Sequence, residues 1–336
     1  MTGPHPAVAA TRTAVREALE SLEPGTRVWV ACSGGPDSLA LTAATAFVAR
    51  KEGLVAGAIV VDHGIHADSG RIALHALDQC RLAGMAVVHI EKVKVGRDGG
   101  LEAAARAARY EAIGRRMEAE GGINPQLLTG HTMDDQAETV LLGLARGSGA
   151  RALAGMPPRR GNLVRPFLGL RRSETTAACE ALGLKPWYDP SNEPDGGPRR
   201  SALRGTVMPA LAEVLGPGVV PGLARSAALL QADADELERQ ARSALGAGGG
   251  DAWSVDVLTS LPDAIRGRML KMLAEGRGAG PITASHVKAM DALVTSFRGQ
   301  GPVSLPGGFE ARREYGRLIV TIVERDEIDH DGEAGA

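Results

Sequence analysis

Two hydrophobic periods alternate along the first half of the chain. Val8, Val15, Leu19 and Leu22 fall on one side of a helix over residues 8–22, and the apolar run Arg27–Cys32 then reads as a buried strand stopped by glycines. Residues 39–51 read as a helix, 55–61 as a second strand ending at Asp62-His63-Gly64, 71–82 as a helix and 86–90 as a third strand. An Ala-rich helix over 101–120, a strand over 126–130 and a helix from Thr132 to Ala145 follow. Strands and helices alternating at these lengths predict parallel βαβ units, and so a doubly wound, mostly parallel α/β sheet of Rossmann-like type. Such sheets bind ligands at the carboxyl ends of their strands, where Ser33-Gly34-Gly35 and Asp62-His63-Gly64 both fall.

After Gly147-Ser148-Gly149 the pattern breaks into loops and short helices as far as Pro209. Gly246-Ala247-Gly248-Gly249-Gly250 marks a flexible break. Helices over 261–274 and 284–297 and a hairpin near 305–323 complete the pattern. This organisation predicts a first domain over 1–220, a smaller α+β domain over 221–325 and an acidic tail over 326–336.

Composition narrows the partners. The formal net charge is −2, yet Arg146 to Arg204 carries 11 Lys and Arg against 5 Asp and Glu, a local basic stretch suited to phosphates. Aromatics make up only 3%, so stacking is not the expected main grip on a nucleic acid. Cys32, Cys80 and Cys179 are scattered, which argues against a disulfide scaffold or an iron–sulfur cluster. The N-terminus lacks the order of a signal peptide, and no run approaches the roughly 18 apolar residues of a membrane span. The expectation is a cytoplasmic protein with no membrane partner; the sequence leaves monomer and homodimer open.

Two constellations carry chemistry. Ser33-Gly34-Gly35-Pro36-Asp37-Ser38 joins a strand to a helix. Adjacent glycines let backbone amides approach an anion, and the helix turns its unpaired N–H groups to the same place. Asp37 is out of keeping beside phosphates unless it holds Mg²⁺ or faces a cation. The plain alternative is a sharp strand-to-helix turn capped by Ser38 or Asp37. Further on, His131, Asp134, Asp135 and Glu138 share one helical face by spacing, with Met133, Ala137, Val140, Leu141 and Leu144 opposite. Three carboxylates with a histidine suit Mg²⁺ or an ammonium group better than zinc. The preceding helix carries a second stripe, Glu102, Arg106, Arg109 and Tyr110.

With these pieces assembled, the sequence resembles the tRNA(Ile)-lysidine synthetase family of PP-loop ATP pyrophosphatases. The resemblance rests on residues 33–38, on Val61-Asp62-His63-Gly64-Ile65, and on Thr129-Gly130-His131-Thr132-Met133-Asp134-Asp135-Gln136-Ala137-Glu138-Thr139 with Arg146-Gly147-Ser148-Gly149. Arg165-Pro166-Phe167, Asp189-Pro190-Ser191-Asn192, Arg200-Ser201-Ala202-Leu203-Arg204, Leu305-Pro306-Gly307-Gly308 and Arg313-Glu314-Tyr315-Gly316 continue it. It departs at Ile65-His66, where the family carries Leu-Arg, and at Ser201, where it carries Asn.

The resemblance implies an ATP-dependent ligase acting on CAU-anticodon isoleucine tRNA and L-lysine, with residues 1–220 catalytic and the second domain binding tRNA. It implies that Ser33, Gly34, Gly35, Pro36, Asp37, Ser38, Asp62 and His131 bind ATP, and that Asp37 and Asp134 hold Mg²⁺. Asp135 and Glu138 would take the lysine ammonium and its proton, Arg109 its carboxylate, and Arg204 charge at the α-phosphate or the RNA. The rivals are another PP-loop enzyme (a tRNA thiolase, an NAD synthetase or an amidotransferase) and a non-catalytic nucleotide- or RNA-binding module.

Overall fold

A computed structural model describes residues 3–64, 68–96, 101–147, 149–188, 199–247 and 252–323. Ile65, His66, Ser148, Asp189-Pro190-Ser191-Asn192, Gly248-Gly249-Gly250 and the acidic tail lie outside the described residues, as does the side chain of Glu102. Contacts divide the chain into two compact units, Met1–Gln231 and Ala232–Ala336. Among the described residues no single helix is long and apolar enough to cross a membrane.

In the first unit the alternation predicted above is present. Helix α1 (Pro6–Leu19) leads to β1 (Arg27–Cys32), α2 (Pro36–Glu52), β2 (Val55–Asp62), α3 (Ser69–Leu82) and β3 (Val87–Lys92). Then come α4 (Leu101–Glu120), β4 (Gln126–Thr129), α5 (Met133–Ala145) and α6 (Ala150–Leu153). Short strands β5 (Arg159–Arg160) and β6 (Leu163–Val164) precede α7 (Arg172–Ala181), α8 (Arg199–Ala202), a π-turn at Leu203–Val207, α9 (Met208–Leu215) and α10 (Val219–Ala247), whose later turns belong to the second unit. The sheet runs β3-β2-β1-β4-β6-β5, parallel except for β5 against β6. Strand order reverses between β1 and β4, which is where a doubly wound sheet opens a crevice.

Alternation along the strands gives the sheet two apolar faces. Val28, Val30 and Cys32 enter a core with α1, α2, α3 and α7, whereas Trp29 packs with Ile59, Leu127, and Ile113 and Met117 of α4 on the other face. Two glycines bring the strand ends together. Gly34 adopts φ +83°, a left-handed conformation that turns β1 sharply into α2. At Gly130 a Cβ would stand 2.9 Å from the Asp37 carbonyl, so only glycine lets β4 end against the first turn of α2.

The second unit has its own core. After β7 (Ala252–Ser254), α11 (Val255–Ser260), α12 (Asp263–Gly276) and α13 (Ala284–Thr295) come β8 (Val303–Leu305), β9 (Phe309–Glu314) and β10 (Arg317–Ile322). The four strands form an antiparallel sheet, β7-β10-β9-β8, over Met269, Leu270, Met290 and Leu293. Arg313 donates to the carbonyls of Leu293 and Val294, both at 3.2 Å, tying β9 to the end of α13. Tyr315 and Gly316 make the left-handed turn between β9 and β10 and leave the Tyr315 ring fully in solvent.

Candidate active site

The loop after β1 is built to offer N–H groups. Ser38 Oγ accepts from the Ser33 N–H at 3.1 Å and donates to the Gly35 carbonyl at 3.0 Å, folding Ser33-Gly34-Gly35 over the start of α2. Gly35 caps the helix without a side chain and Pro36 fills its first position. The free N–H groups and positive end of α2 therefore open onto the loop, as an anion site requires. Asp62, buried at the end of β2, accepts from the Gly64 N–H at 3.0 Å.

The carboxylates gather around one arginine. Arg172, at the start of α7, donates from Nε to Asp37 at 3.2 Å and from Nη2 to Asp135 at 2.6 Å, and its Nη1 lies 3.6 Å from Glu138. Burial disfavours its charge, but Asp135, Asp37 and Glu138 hold the proton more firmly than usual. Arg204, in the π-turn, grips Glu138 with Nε at 2.9 Å and Nη2 at 3.3 Å. Thr175 donates to the other Asp37 oxygen. Two guanidinium groups, from α7 and the π-turn, thus serve three carboxylates from α2 and α5.

The two aspartates differ electrostatically. Burial pushes the Asp37 carboxyl above its ordinary range, and neighbouring Asp135 adds to this against the pull of Thr175 and Arg172. Asp135 is also buried, but Arg172 and the Thr132 N–H, which donates to it at 2.8 Å, hold it below the usual carboxylate range. Asp135 is therefore a firm anion, and Asp37 an anion under strain from burial.

Three expectations change. Helix α5 begins at Met133, so His131 lies in the preceding turn instead of on the helical stripe, with Nδ1 2.9 Å from Thr129 Oγ1. Helix α5 is buried on both faces: Glu138 and Asp135 are as enclosed as Ala137 and Val140, and Leu144 near its end is 52% exposed. Cations supplied by α7 and the π-turn let the acidic face be buried. Asp134, expected beside Asp37 as a metal ligand, is instead a strut. Arg171 chelates it with Nε and Nη2 at 2.9–3.2 Å, and the Arg172 N–H donates to it at 2.8 Å.

The basic stretch also divides. Arg171, Arg172 and Arg204 turn inward to carboxylates, and Arg159 is held by Gln126 and the Ala18 carbonyl. They are not free for RNA. Arg165 is buried as well. Arg109 donates from Nε to His63 Nε2 at 3.3 Å, so that imidazole is neutral; burial and the Arg109 charge both lower its pKa. Arg172 and Thr175 carried no local signal, since nothing near residue 172 in the sequence announces a partner at Asp37.

Among the described residues no group of three or more His, Cys, Asp or Glu side chains is placed to hold a metal ion. A Mg²⁺ that arrives with a nucleotide needs only one or two carboxylates, because phosphates and water supply the rest. Asp37, at the phosphate loop with a lone pair left on each oxygen, fits that requirement. Asp134, with both oxygens engaged, does not.

A PP-loop domain family matches residues 9–211, and a TilS substrate binding domain family matches residues 254–319. The tRNA(Ile)-lysidine synthase of Salinispora tropica is 51% identical over 323 residues, 93% of this chain and 96% of that protein. That of Thermobifida fusca is 48% identical over 325 residues, 96% of this chain and 99% of that protein. Among solved structures, the U34-tRNA thiolase NcsA from Methanococcus maripaludis with its [4Fe-4S] cluster has a TM-score of 0.56 at 20% identity, covering 67% of this chain and 80% of that one. At that identity the likeness is one of fold.

Proposed function

The chain belongs to the tRNA(Ile)-lysidine synthase family, and from that premise we propose how its residues divide the reaction. It is an ATP-using ligase that modifies the wobble cytidine of tRNA(Ile). In the first half-reaction the cytidine O2 attacks the α-phosphorus of ATP, the bond to the β-phosphate breaks, and pyrophosphate leaves. The amides of Ser33 to Ser38 and the positive end of α2 hold that leaving group. His131, a neutral imidazole beside Thr129, offers an N–H to the nucleotide, and Asp62 closes the nucleotide side at the end of β2. A Mg²⁺ bound with ATP would be held by Asp37 and would offset charge on the phosphates.

In the second half-reaction the lysine ε-amine attacks C2 of the activated base, the C2–O bond breaks, and AMP leaves as lysidine forms. Lysine arrives as an ammonium ion and must first lose a proton. Asp135, held anionic by Arg172, anchors that cation; Glu138 takes the proton. Arg109 receives the lysine carboxylate, to which a planar guanidinium fork is matched. Arg204, which grips Glu138, positions it for that step. The second unit holds the tRNA outside the anticodon, and so separates it from the methionine tRNA that shares CAU; the TilS substrate binding domain match over 254–319 supports this.

The observation that carries this reading is the convergence of Asp37, Asp135 and Glu138 on Arg172 beside the phosphate loop. Purified protein incubated with Mg-ATP, labelled lysine and unmodified CAU-anticodon isoleucine tRNA should place label on the wobble nucleoside. Label should be absent without ATP and in Asp37→Ala. Pyrophosphate release with no lysine incorporation would discard the second half-reaction.

A further inference from the structure

The arginines of the first unit fall into two kinds. Arg171, Arg172 and Arg204 have carboxylate partners. Arg106, Arg165 and Arg200 have none: among the described residues these three make no ion pair, and nothing above assigns them a part in the reaction. Arg165 stands at the end of β6, next to β4, whose own end leads to His131. Its Nη1 donates to the Pro157 carbonyl at 2.7 Å, but it is only 6% exposed and its buried Nε has no partner. Arg106 lies on α4 with its guanidinium 5.1 Å from the Tyr110 ring centre and Nη2 3.4 Å from the Tyr110 hydroxyl. Tyr110 and Leu163 pack against one cluster of Trp29, Ile59 and Leu127, so α4 and β6 lie on the same face of the sheet, and Arg200 comes from α8, one turn before the Arg204 that grips Glu138 of α5.

These charges act on one another. Burial first, and then the charges of Arg165, Arg106 and Arg200, hold the His131 imidazole down to about 4 in spite of Asp135. Burial and the Arg106 charge also weaken the hold of Arg109 and Arg165 on their protons, against the pull of Tyr110. Like charges gathered around a neutral imidazole, one of them with a buried orphan N–H, are costly until an anion enters among them.

We propose that Arg106, Arg165 and Arg200 form a subsite for an RNA backbone phosphodiester next to the wobble nucleotide. This rests on the function proposed above, which brings three kinds of anion to the site. ATP's leaving phosphates have the amides of residues 33–38, and the lysine carboxylate has Arg109. The third kind is the RNA backbone, and it must pass close by, because a cytidine whose O2 reaches the α-phosphate carries a phosphate on either side. Guanidinium forks match phosphodiester oxygens. A base that reacts outside its stack needs its backbone held while it is displaced.

The test uses the full-length protein and a CAU-anticodon stem-loop RNA, made with an ordinary backbone or with one neutral methylphosphonate linkage beside the wobble cytidine. Arg106→Ala and Arg200→Ala are the first variants, because they avoid the buried Arg165; Arg165→Lys follows, with its thermal unfolding recorded. Each variant should bind the ordinary RNA several-fold more weakly, with a salt dependence shallower by about one phosphate contact. KM for lysine should stay unchanged. With the methylphosphonate RNA, wild type and variants should bind alike. A raised KM for lysine with intact RNA affinity would overturn the proposal in favour of a carboxylate site. Equal weakening on both RNAs would place the lost phosphate elsewhere, and no effect on either would make these arginines scaffold. Wild type that forms no lysine–cytidine product counts against the proposed function itself, whereas product formation with indifferent variants counts against the subsite alone.

Discussion

Arg172 Nη2 lies 2.6 Å from Asp135 Oδ1, and this contact fixes the first turn of α7 against the first turn of α5. The same guanidinium reaches Asp37 and Glu138, so it neutralises a site that three carboxylates would otherwise push apart. Replacing Arg172 with Ala should lower stability by about 3 kcal/mol, the usual result of leaving a buried charge without its partner. Denaturant unfolding at neutral pH measures this. Arg172→Lys should recover little, since one ammonium cannot reach three carboxylates as a fork does.

Asp37 and Asp134 should separate function from folding. A folded-state pKa raised by burial means that Asp37 supports stability at low pH and lowers it once ionised. Asp37→Asn should therefore keep or raise the melting temperature at pH 7, while cutting pyrophosphate release by about two orders of magnitude. Asp134 has the opposite sign: the Arg171 contacts and the Arg172 N–H hold its pKa down against burial. Its contribution is present above the ordinary carboxylate range and lost as pH falls through its lowered value. Asp134→Ala should lower the melting temperature, and in the surviving folded protein the Mg²⁺ concentration dependence should be unchanged.

His131 gives a pH signature of its own. Its folded pKa of about 4 lies below the 6.5 ordinary for histidine, so the unfolded chain binds the extra proton over that window. The linked stability is complete above pH 6.5 and is lost as pH falls toward 4. A His131→Gln variant, which cannot titrate, should show a flatter stability curve between those limits. A curve parallel to wild type would remove His131 from the acid response.

Arg204 and Glu138 should behave as one unit. If Arg204 acts by positioning Glu138, removing either loses most of what the pair supplies. Arg204→Ala, Glu138→Gln and the double variant should then be non-additive by more than about 1 kcal/mol in lysidine formation. Additive losses would return Arg204 to a separate role.

Gly130 is a test of the strand-end geometry. A Cβ there meets the Asp37 carbonyl at 2.9 Å, so Gly130→Ala should destabilise by about 1–3 kcal/mol and weaken ATP binding. Gly114, in α4 with open space around it, is the control. Alanine at that helical position should stabilise by about 0.8 kcal/mol.

Much of the fold was legible because it is written in short-range periods. Strand β1 ends where the run Arg27–Cys32 ends, and α4 spans the Ala-rich segment 101–120, since local propensity and burial agree there. The phosphate loop was legible for the same reason: a strand, two glycines and a helix start are all local. The polar spacing on α5 places Asp134, Asp135 and Glu138 on one helical face, but it does not show their partners: Asp135 and Glu138 are buried against Arg172 and Arg204, which lie far along the chain.

What the sequence by itself determined is the order of strands and helices as far as Ala145, the strand-to-helix turn at 33–38 and the identity of the chemical groups. Only the tertiary structure decided which cation meets which carboxylate. Arg172 is 135 residues from Asp37, and Arg204 is 66 from Glu138, separations over which no local pattern carries information. The same folding parted the basic stretch into arginines neutralised by acids and arginines left without a counter-charge. Periodicity records which face of an element is apolar, whereas the partner of a buried charge depends on which distant element arrives beside it.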